Sequence, residues 1–574
     1  MSDDSTSPRA GMVGRAAPGV FAAAGLIAVV TLAARVFGFG RWLVFSQSVG
    51  ATCVGSVYQA ANQLPNVIFE VAAGGALAAV AVPVIAGQLA RRDEAGADQT
   101  ASAMLTWSFT VLAPLSILMA AAAAPLSALL VDRQRCSGST DLMAAMLVVF
   151  APQIALYGVG IVLAGVLQAH RRFFAAAMAP LLSSVVVMAT YLLYAAMAQG
   201  RGDDLARLPG NASTVLAAGT TLGVVALSLP LLIPVHRAGI RLRLSWTFPE
   251  GVARRARALA GAGLLALVAQ QLAVLVALWV SQHRGGPGTL NVYTYVQAVY
   301  LLPYAVLAVP VATAAFPAMA TGLDRALLAP GPDRSVVVAD SDQAVVDHAQ
   351  QTLAGATRAI TVATCAGAAV LFAVAPSIGA FFSALDAGRH SPAGQEALAA
   401  LPDALSAFAP GLVGFGLIAL LTRALYVRGR PGVAGGGGAL GWLIAAAVPL
   451  VVLHDDAGPR STLQSLGFAS SIGMTIAAVG LFFAVRKAWG PLAFDGLART
   501  ATVAVGSGVF SAALGRVVAD LLDPRGLAAG GAVAVLVALG VLTLSAVAIW
   551  FGDNESARMV LARTRRPARG EMTK

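Results

Sequence analysis

Residues 31–83 read TLAARVFGFGRWLVFSQSVGATCVGSVYQAANQLPNVIFEVAAGGALAAVAVP. Apolar sequence this dense, on both sides of a short Gly-Ala-Thr break, predicts two consecutive membrane-spanning helices, since about 20 residues cross the hydrocarbon core. Yet Arg35, Arg41 and Glu70 lie well inside the apolar runs. Even the lowest scales put an arginine at the bilayer centre at about 2.5–3.5 kcal/mol, so such groups normally face a protein-lined, hydrated space. The six-residue separation of the two arginines is about 9 Å along a helix axis. That spacing suits an extended anion better than a point ion. The competing reading has both side chains snorkel to an interface or neutralise Glu70.

Composition sets the class around this stretch. The chain is 58% hydrophobic and 11% charged, with a mean hydropathy of +0.78, which excludes an ordinary soluble protein. Fourteen apolar stretches are long enough to span a bilayer, at roughly 18–47, 54–88, 100–131, 142–169, 173–198, 212–236, 257–282, 289–321, 354–384, 400–427, 432–453, 463–485, 498–522 and 527–551. With the N-terminus inside, 26 of the 38 lysines and arginines fall in cytoplasmic segments or at the span ends that border them, and eight in external loops. That asymmetry predicts a multi-pass membrane protein with both termini in the cytoplasm. The polar N-terminus shows no cleavage signal. Cys53, Cys136 and Cys365 are far apart without metal spacing, so neither a disulfide framework nor a zinc site is expected.

A weak internal repeat organises the spans. Ala151-Pro152 precedes Arg172 as Ala409-Pro410 precedes Arg430, at a constant offset of 258 residues, and Leu64-Pro65 answers Leu302-Pro303. Helix four pairs with ten and helix two with eight, which implies parallel repeats. The expected fold is an all-α polytopic membrane protein with about fourteen transmembrane helices: two six-helix lobes around a central cleft, plus two extra C-terminal helices. The boundaries are a cytoplasmic segment 1–17, an N-lobe 18–238, a basic linker 239–256, a C-lobe 257–487, helices thirteen and fourteen at 488–551 and a basic tail 552–574. Pro65, Pro303, Arg172 and Arg430 are candidate gating or hinge positions. His236–Arg257 is expected on the inner membrane surface, Gly322–Gln351 as a polar mobile loop, and the tail against anionic lipids. Arg516 and Asp520, at i, i+4, can pair near the outer surface.

No nucleotide-binding loop, Ser-His-Asp cluster or metal constellation occurs, so neither catalysis nor a cofactor is expected. What remains is a cleft with buried cations and amides. Gln63, Asn66 and Glu70 fall at i, i+3 and i+7 on one face of helix two. Gln270, Gln271 and Gln297 are further cleft amides, each open equally to a core role or a substrate contact. The basic excess follows membrane sidedness, which argues against nucleic acid as a partner.

Several motifs carry a resemblance. R-V-x-G-F-x-R at 35–41, a Gly-Ala loop, Q-L-P-N at 63–66 and V-P at 82–83 resemble the MurJ (MviN) family, lipid II flippases of the multidrug/oligosaccharidyl-lipid/polysaccharide exporter superfamily. Residues 167–180, 301–320 and 423–431 continue it. The resemblance implies a place in the bacterial cytoplasmic membrane. It also implies that Arg35 and Arg41 bind the pyrophosphate of lipid II, undecaprenyl-linked disaccharide-pentapeptide, with cell-wall synthesis proteins as possible partners. It also exposes departures. Positions where the family's better-studied members carry a further Arg and a Glu on helix two hold Phe69 and Gly74, and the family's helix-eight Arg falls at Ala298. Glu70, one turn before Gly74, is a candidate replacement for that carboxylate on the same face. Helix seven lacks the acidic residues of the family's sodium site, leaving membrane potential or protons to drive transport. A related polysaccharide-lipid or multidrug exporter, and a transport-inactive scaffold for wall synthesis, are the alternatives. Helices thirteen and fourteen are expected to form an apolar groove for a lipid tail.

Overall fold

The computed structural model describes residues 33–34, 36–132, 136–249, 252–327, 336–386 and 391–554, with backbone alone at 74–76, 78–80, 252–262, 321–327 and 336–345. Every regular element in it is helical. We number the rods in chain order. α1 covers 36–48. α2 runs as Cys53–Phe69, a π-turn Glu70–Gly74, then Gly75–Ala90. α3 is Glu94–Ala121 continued by Ala123–Leu130; α4 is Ser139–Phe150 and Pro152–Ala169; α5 is Phe173–Ala198; α6 spans Gly210–Arg237. The second half begins with α7, Val252–Val280 and a π-turn Ser281–Gly285, and α8, Thr289–Pro303, a π-turn Tyr304–Ala308 and Val309–Leu327. α9 is Val336–Asp386, α10 runs from Pro392 through Phe408 and from Gly411 to Val427, and α11 is Pro431–Val452. α12 is Gly458–Trp489, α13 Leu497–Leu522 and α14 Leu527–Gly552.

Among the described residues eleven helices are long and apolar enough to cross a membrane, or twelve counting α10, whose two parts bend by 49°. α1, whose beginning lies outside the described residues, and the interrupted α2 are compatible with the fourteen spans expected. The presumed loop Gly322–Gln351 is corrected: α8 continues to Leu327 and α9 starts at Val336, so most of it is helix. Polar sequence hid that helicity, because a rod leaving the bilayer no longer needs an apolar surface.

The repeat reappears as local geometry. α4 and α10 both break after a phenylalanine, at Phe150 and Phe408. Both then end in one closing turn: Arg172 N–H bonds Leu167 O at 2.8 Å and Arg430 N–H bonds Leu425 O at 2.9 Å. The preceding residues, Arg171 and Gly429, take φ of +59° and +66°, the left-handed residue that closes a helix C-terminus. In the glycine run of α11, Gly437 and Gly438 give room to Leu481 and Ala266.

Burial shows how the halves meet. One apolar core contains Phe45, Tyr58 and Tyr191 from the first half together with Tyr295, Phe382 and Phe408 from the second. Its members cluster toward one end of the rods, called here the joined end. Toward the other end the first half has its own core around Ile85, Met104 and Val166, and the second half another around Met319, Ile360 and Trp489. Contact between halves at this parted end includes Gly75–Ala90 beside α7. α13 and α14 pack on α9 through a fourth core. There Arg516 pairs with Asp520 at 3.4 Å as expected, and also donates to Ser406 Oγ at 3.2 Å.

Candidate functional site: a sealed interlobe cleft

The seal is aromatic. Phe45 of α1 lies 5.7 Å from the Tyr58 ring, 5.2 Å from Tyr191 and 6.2 Å from Tyr295 across the halves. Trp42 reaches Tyr295 at 6.5 Å, and Tyr295 stacks on Phe382 at 4.9 Å. Edge and offset contacts of this kind add stabilisation beyond burial. Tyr58 keeps its hydroxyl bonded to Tyr191 and Thr220, at 2.9 and 3.0 Å, so the plug buries no stranded tyrosine at that point.

Above the seal the turn between α1 and α2 is built as a plate. Thr52 caps α2 by accepting from Gly55 N–H at 3.1 Å, Asp203 Oδ1 accepts from Cys53 N–H at 2.8 Å, and Gly202 O accepts from Val54 N–H at 2.9 Å. These bonds satisfy the free amides of a helix N-terminus. Cys53 and Cys136 form a disulfide, which corrects the expectation of none. Their 83-residue separation hid the pair; antiparallel packing returns the α3–α4 turn to the start of α2.

The second half docks on this plate through polar groups. Gln282 Nε2 donates to Ser56 O at 2.9 Å, Gly288 N–H to Ser56 Oγ at 2.7 Å, and Asn291 Nδ2 to Gly50 O at 2.6 Å. Gly288, at φ +83°, allows the approach: a Cβ there would lie 3.0 Å from Ala51 O. Sequence reasoning missed Gln282, Asn291 and Asp203. The available signal was the Gly-Gly-Pro-Gly turn at 285–288 flanked by amides.

Beneath the seal lie the expected substrate contacts. Arg35 falls outside the described residues. Arg41 is half-buried, one turn before Phe45, with its guanidinium 5.6 Å from the Trp42 ring. It is within electrostatic reach of Tyr58, Tyr157 and Tyr191. Gln63, Asn66 and Glu70 are all half-buried while Leu64, Pro65, Val67 and Phe69 are buried, so the three share the less buried face of α2. Asn66 donates to Asn62 O at 3.1 Å and is bonded to Tyr157. Glu70 opens the π-turn, a widened coil that often marks functional positions. Among the described residues no ion pair joins Glu70 to Arg41.

The remaining candidates separate. Gln271 is buried and Gln270 half-buried on α7, and Gln297 is tied to Tyr293 of its own helix at 3.1 Å. Pro65 and Pro303 each precede a π-turn, at Glu70–Gly74 and Tyr304–Ala308. Arg172 and Arg430 are exposed at helix starts, away from the cleft residues. Phe69 is core, 5.6 Å from Tyr157. Arg423 of α10, given no role from sequence, is half-buried within electrostatic reach of Tyr304.

The family model described as Lipid II flippase MurJ matches residues 45–522. Curated relatives named probable lipid II flippase MurJ include one from Rhizobium tropici, 26% identical over 51% of this chain and 54% of the relative. Another, from Rhizobium meliloti, is 27% identical over 51% and 53%. The matched stretch thus spans about half the length of these relatives. Among solved structures, a lipid II flippase MurJ in an inward closed conformation aligns with TM-score 0.65 at 16% identity, over 91% of this chain and 98% of that one. An inward-facing multidrug MATE transporter aligns at TM-score 0.60 and 15% identity, over 82% and 99%. Those identities carry the fold, and the family model carries the membership: this chain belongs to the lipid II flippase MurJ family.

Proposed function

We propose that this protein moves lipid II from the cytoplasmic to the outer leaflet of the bacterial cytoplasmic membrane by alternating access. The observation that carries the reading is Arg41, a half-buried cation directly beneath an aromatic seal that closes one end of the cleft while the halves keep separate cores at the other. A pyrophosphate entering from the parted end meets that guanidinium before it meets the plug. Two opposite charges 4 Å apart attract by about 4 kcal/mol at an effective dielectric of 20, and a planar guanidinium suits bidentate phosphate recognition. Arg35 is proposed as its partner, with Gln63, Asn66 and Glu70 contacting the sugar-peptide portion.

The joined end is assigned to the extracytoplasmic side, with both termini in the cytoplasm. The distribution of lysines and arginines supports this, and so does the Cys53–Cys136 disulfide at that end, since disulfides persist in oxidising compartments. An apolar cleft of about 420 Å³ between α9, α10 and α13, lined by Phe372, Pro410 and Val509 among others, is proposed to hold the polyprenyl tail. α14, expected to share that groove, contributes none of its lining. The tail's proposed contact with anionic lipids involves 555–574, outside the described residues.

Depleting the protein and measuring which lipid-linked precursor accumulates tests the reading. Lipid II accumulation, reversed by the wild type and not by Arg41→Ala, is expected. Accumulation of another polyprenyl-linked glycan would favour a related exporter. Impaired wall synthesis with no lipid II movement in reconstituted vesicles would favour a scaffold.

A further inference from the structure

The segment joining the two halves is neither a free linker nor a surface helix. Residues 240–249 form no regular element and run along the first half of α3, with the alternate-amide spacing of an extended chain at 241–245. Arg241 N–H donates to Asp98 Oδ2 at 3.2 Å, Arg243 N–H to Ser102 Oγ at 3.0 Å, and Ser245 N–H to Thr106 Oγ1 at 3.2 Å. The match is one of periods. Asp98, Ser102 and Thr106 recur every four residues, about 6 Å along a helix. Alternate amides of an extended chain recur at about 6.6 Å. A polar stripe on a helix thus takes up one row of strand amides. Trp107 Nε1 closes the ladder by donating to Trp246 O at 2.9 Å, with the rings edge-to-face at 5.6 Å.

With its backbone committed to α3, the strap sets Ile240, Leu242 and Phe248 against the first-half core and leaves alternate side chains outside. Arg241 and Arg243 are exposed, Leu244 is 89% exposed and Trp246 55%, beside Trp107 at 43%. Among the described residues neither arginine has an ion-pair partner. Depth follows from α3: Trp107 to Leu130 is about 35 Å of helix, close to the thickness of the hydrocarbon core. Trp107 and Trp246 therefore sit at a membrane boundary, where amphipathic rings collect. The two arginines lie beyond it, at headgroup level, and the exposed Leu244 lies between them and the tryptophan pair.

We propose that this strap is a binding site for the headgroup of an anionic phospholipid, with Arg241 and Arg243 on the phosphodiester and Leu244, Trp107 and Trp246 against the upper acyl chain. Charge sign, depth and the aromatic pair favour a lipid over a soluble anion, which would gain nothing from an exposed leucine and two tryptophans. The site lies on the perimeter of α3, apart from the cleft, and goes beyond the transport reading.

The test places a photoreactive benzophenone amino acid at Leu244 in the full-length protein. The protein is reconstituted in symmetric vesicles where phosphatidylglycerol is the minority component beside phosphatidylcholine. Because both leaflets are alike, the readout is independent of translocation and of orientation. Adducts enriched in phosphatidylglycerol over the bulk, on the order of tenfold for two arginines near an anionic surface, are expected. Arg241→Gln/Arg243→Gln should return the ratio to bulk, and Arg241→Lys/Arg243→Lys should keep most of it, with all variants melting alike. A bulk ratio in the wild type would overturn the site, as would crosslinks into protein alone. Loss of the enrichment to inorganic phosphate at fixed ionic strength would mark an anion site without lipid preference and overturn it as well.

Discussion

Asn291 of α8 donates to the carbonyl of Gly50 at 2.6 Å, and that bond joins the two halves of the protein at one end only. Its neighbours are the Gln282–Ser56 and Gly288–Ser56 bonds. Alternating access requires all three to break together while the parted end closes.

Asn291→Ala is expected to shift the population toward the opposite-facing state about fivefold, for a typical net hydrogen bond of about 1 kcal/mol. Adding Gln282→Ala should take the shift to on the order of thirtyfold if the bonds act independently. Spin labels at the exposed positions Arg207 and Asp455, one in each half, read the change as a longer distance. An unchanged distance distribution in the double variant would show that these bonds do not hold the end closed.

Gly55→Ala should act in the same direction by sterics. A Cβ at Gly55 would overlap both the Gly50 carbonyl and Asn291 Nδ2, so the methyl group acts as a wedge under the interlobe bond. The variant is expected to fold, to open the joined end in the same distance measurement, and to transport slowly. Wild-type distances and rates would mean the plate yields locally.

Arg41→Ala is expected to abolish lipid II movement with little loss of thermal stability, because no ion pair ties Arg41 to Glu70 among the described residues. Arg41→Lys should recover only part of the activity, since an ammonium lacks the planar fork. If instead Arg41→Ala unfolds and Glu70→Gln restores it, the arginine is a structural counter-charge.

Cys53→Ser should lower the melting temperature and loosen the joined end. The chain-entropy model gives about 4.5 kcal/mol for an 83-residue loop. Helices that stay inserted on unfolding reduce that figure, so it is an upper bound. Wild-type protein in dithiothreitol should reproduce the variant, and identical melting with and without reductant would remove any structural role for the bond.

A photoreactive polyprenyl pyrophosphate should label α13 and α9 rather than α14, following the lining of the apolar cleft. Peptide mapping of the adduct decides this, and labelling confined to α14 would move the tail site.

Much of the architecture was legible because lipid allows few solutions. Backbone groups must be satisfied within each span, so long apolar runs become helices, with α8 and α9 running past the hydropathy limits. The repeat was legible too, since Ala-Pro and the arginine after the helix mark one break and one closing turn in both halves. The face of α2 that carries Gln63, Asn66 and Glu70 followed from the helical period alone.

The rest depends on what the rods do to each other. Sequence could place cations inside the bilayer, because burying charge is costly wherever it occurs. It could not say that Cys53 meets Cys136, that Asn291 reaches Gly50, or that the linker lies as a strap on Asp98, Ser102 and Thr106. Each is a contact between segments far apart in the chain, decided by how the helices turn and tilt. Local propensity and hydropathy are indifferent to that choice, whereas packing and the satisfaction of buried polar groups are not.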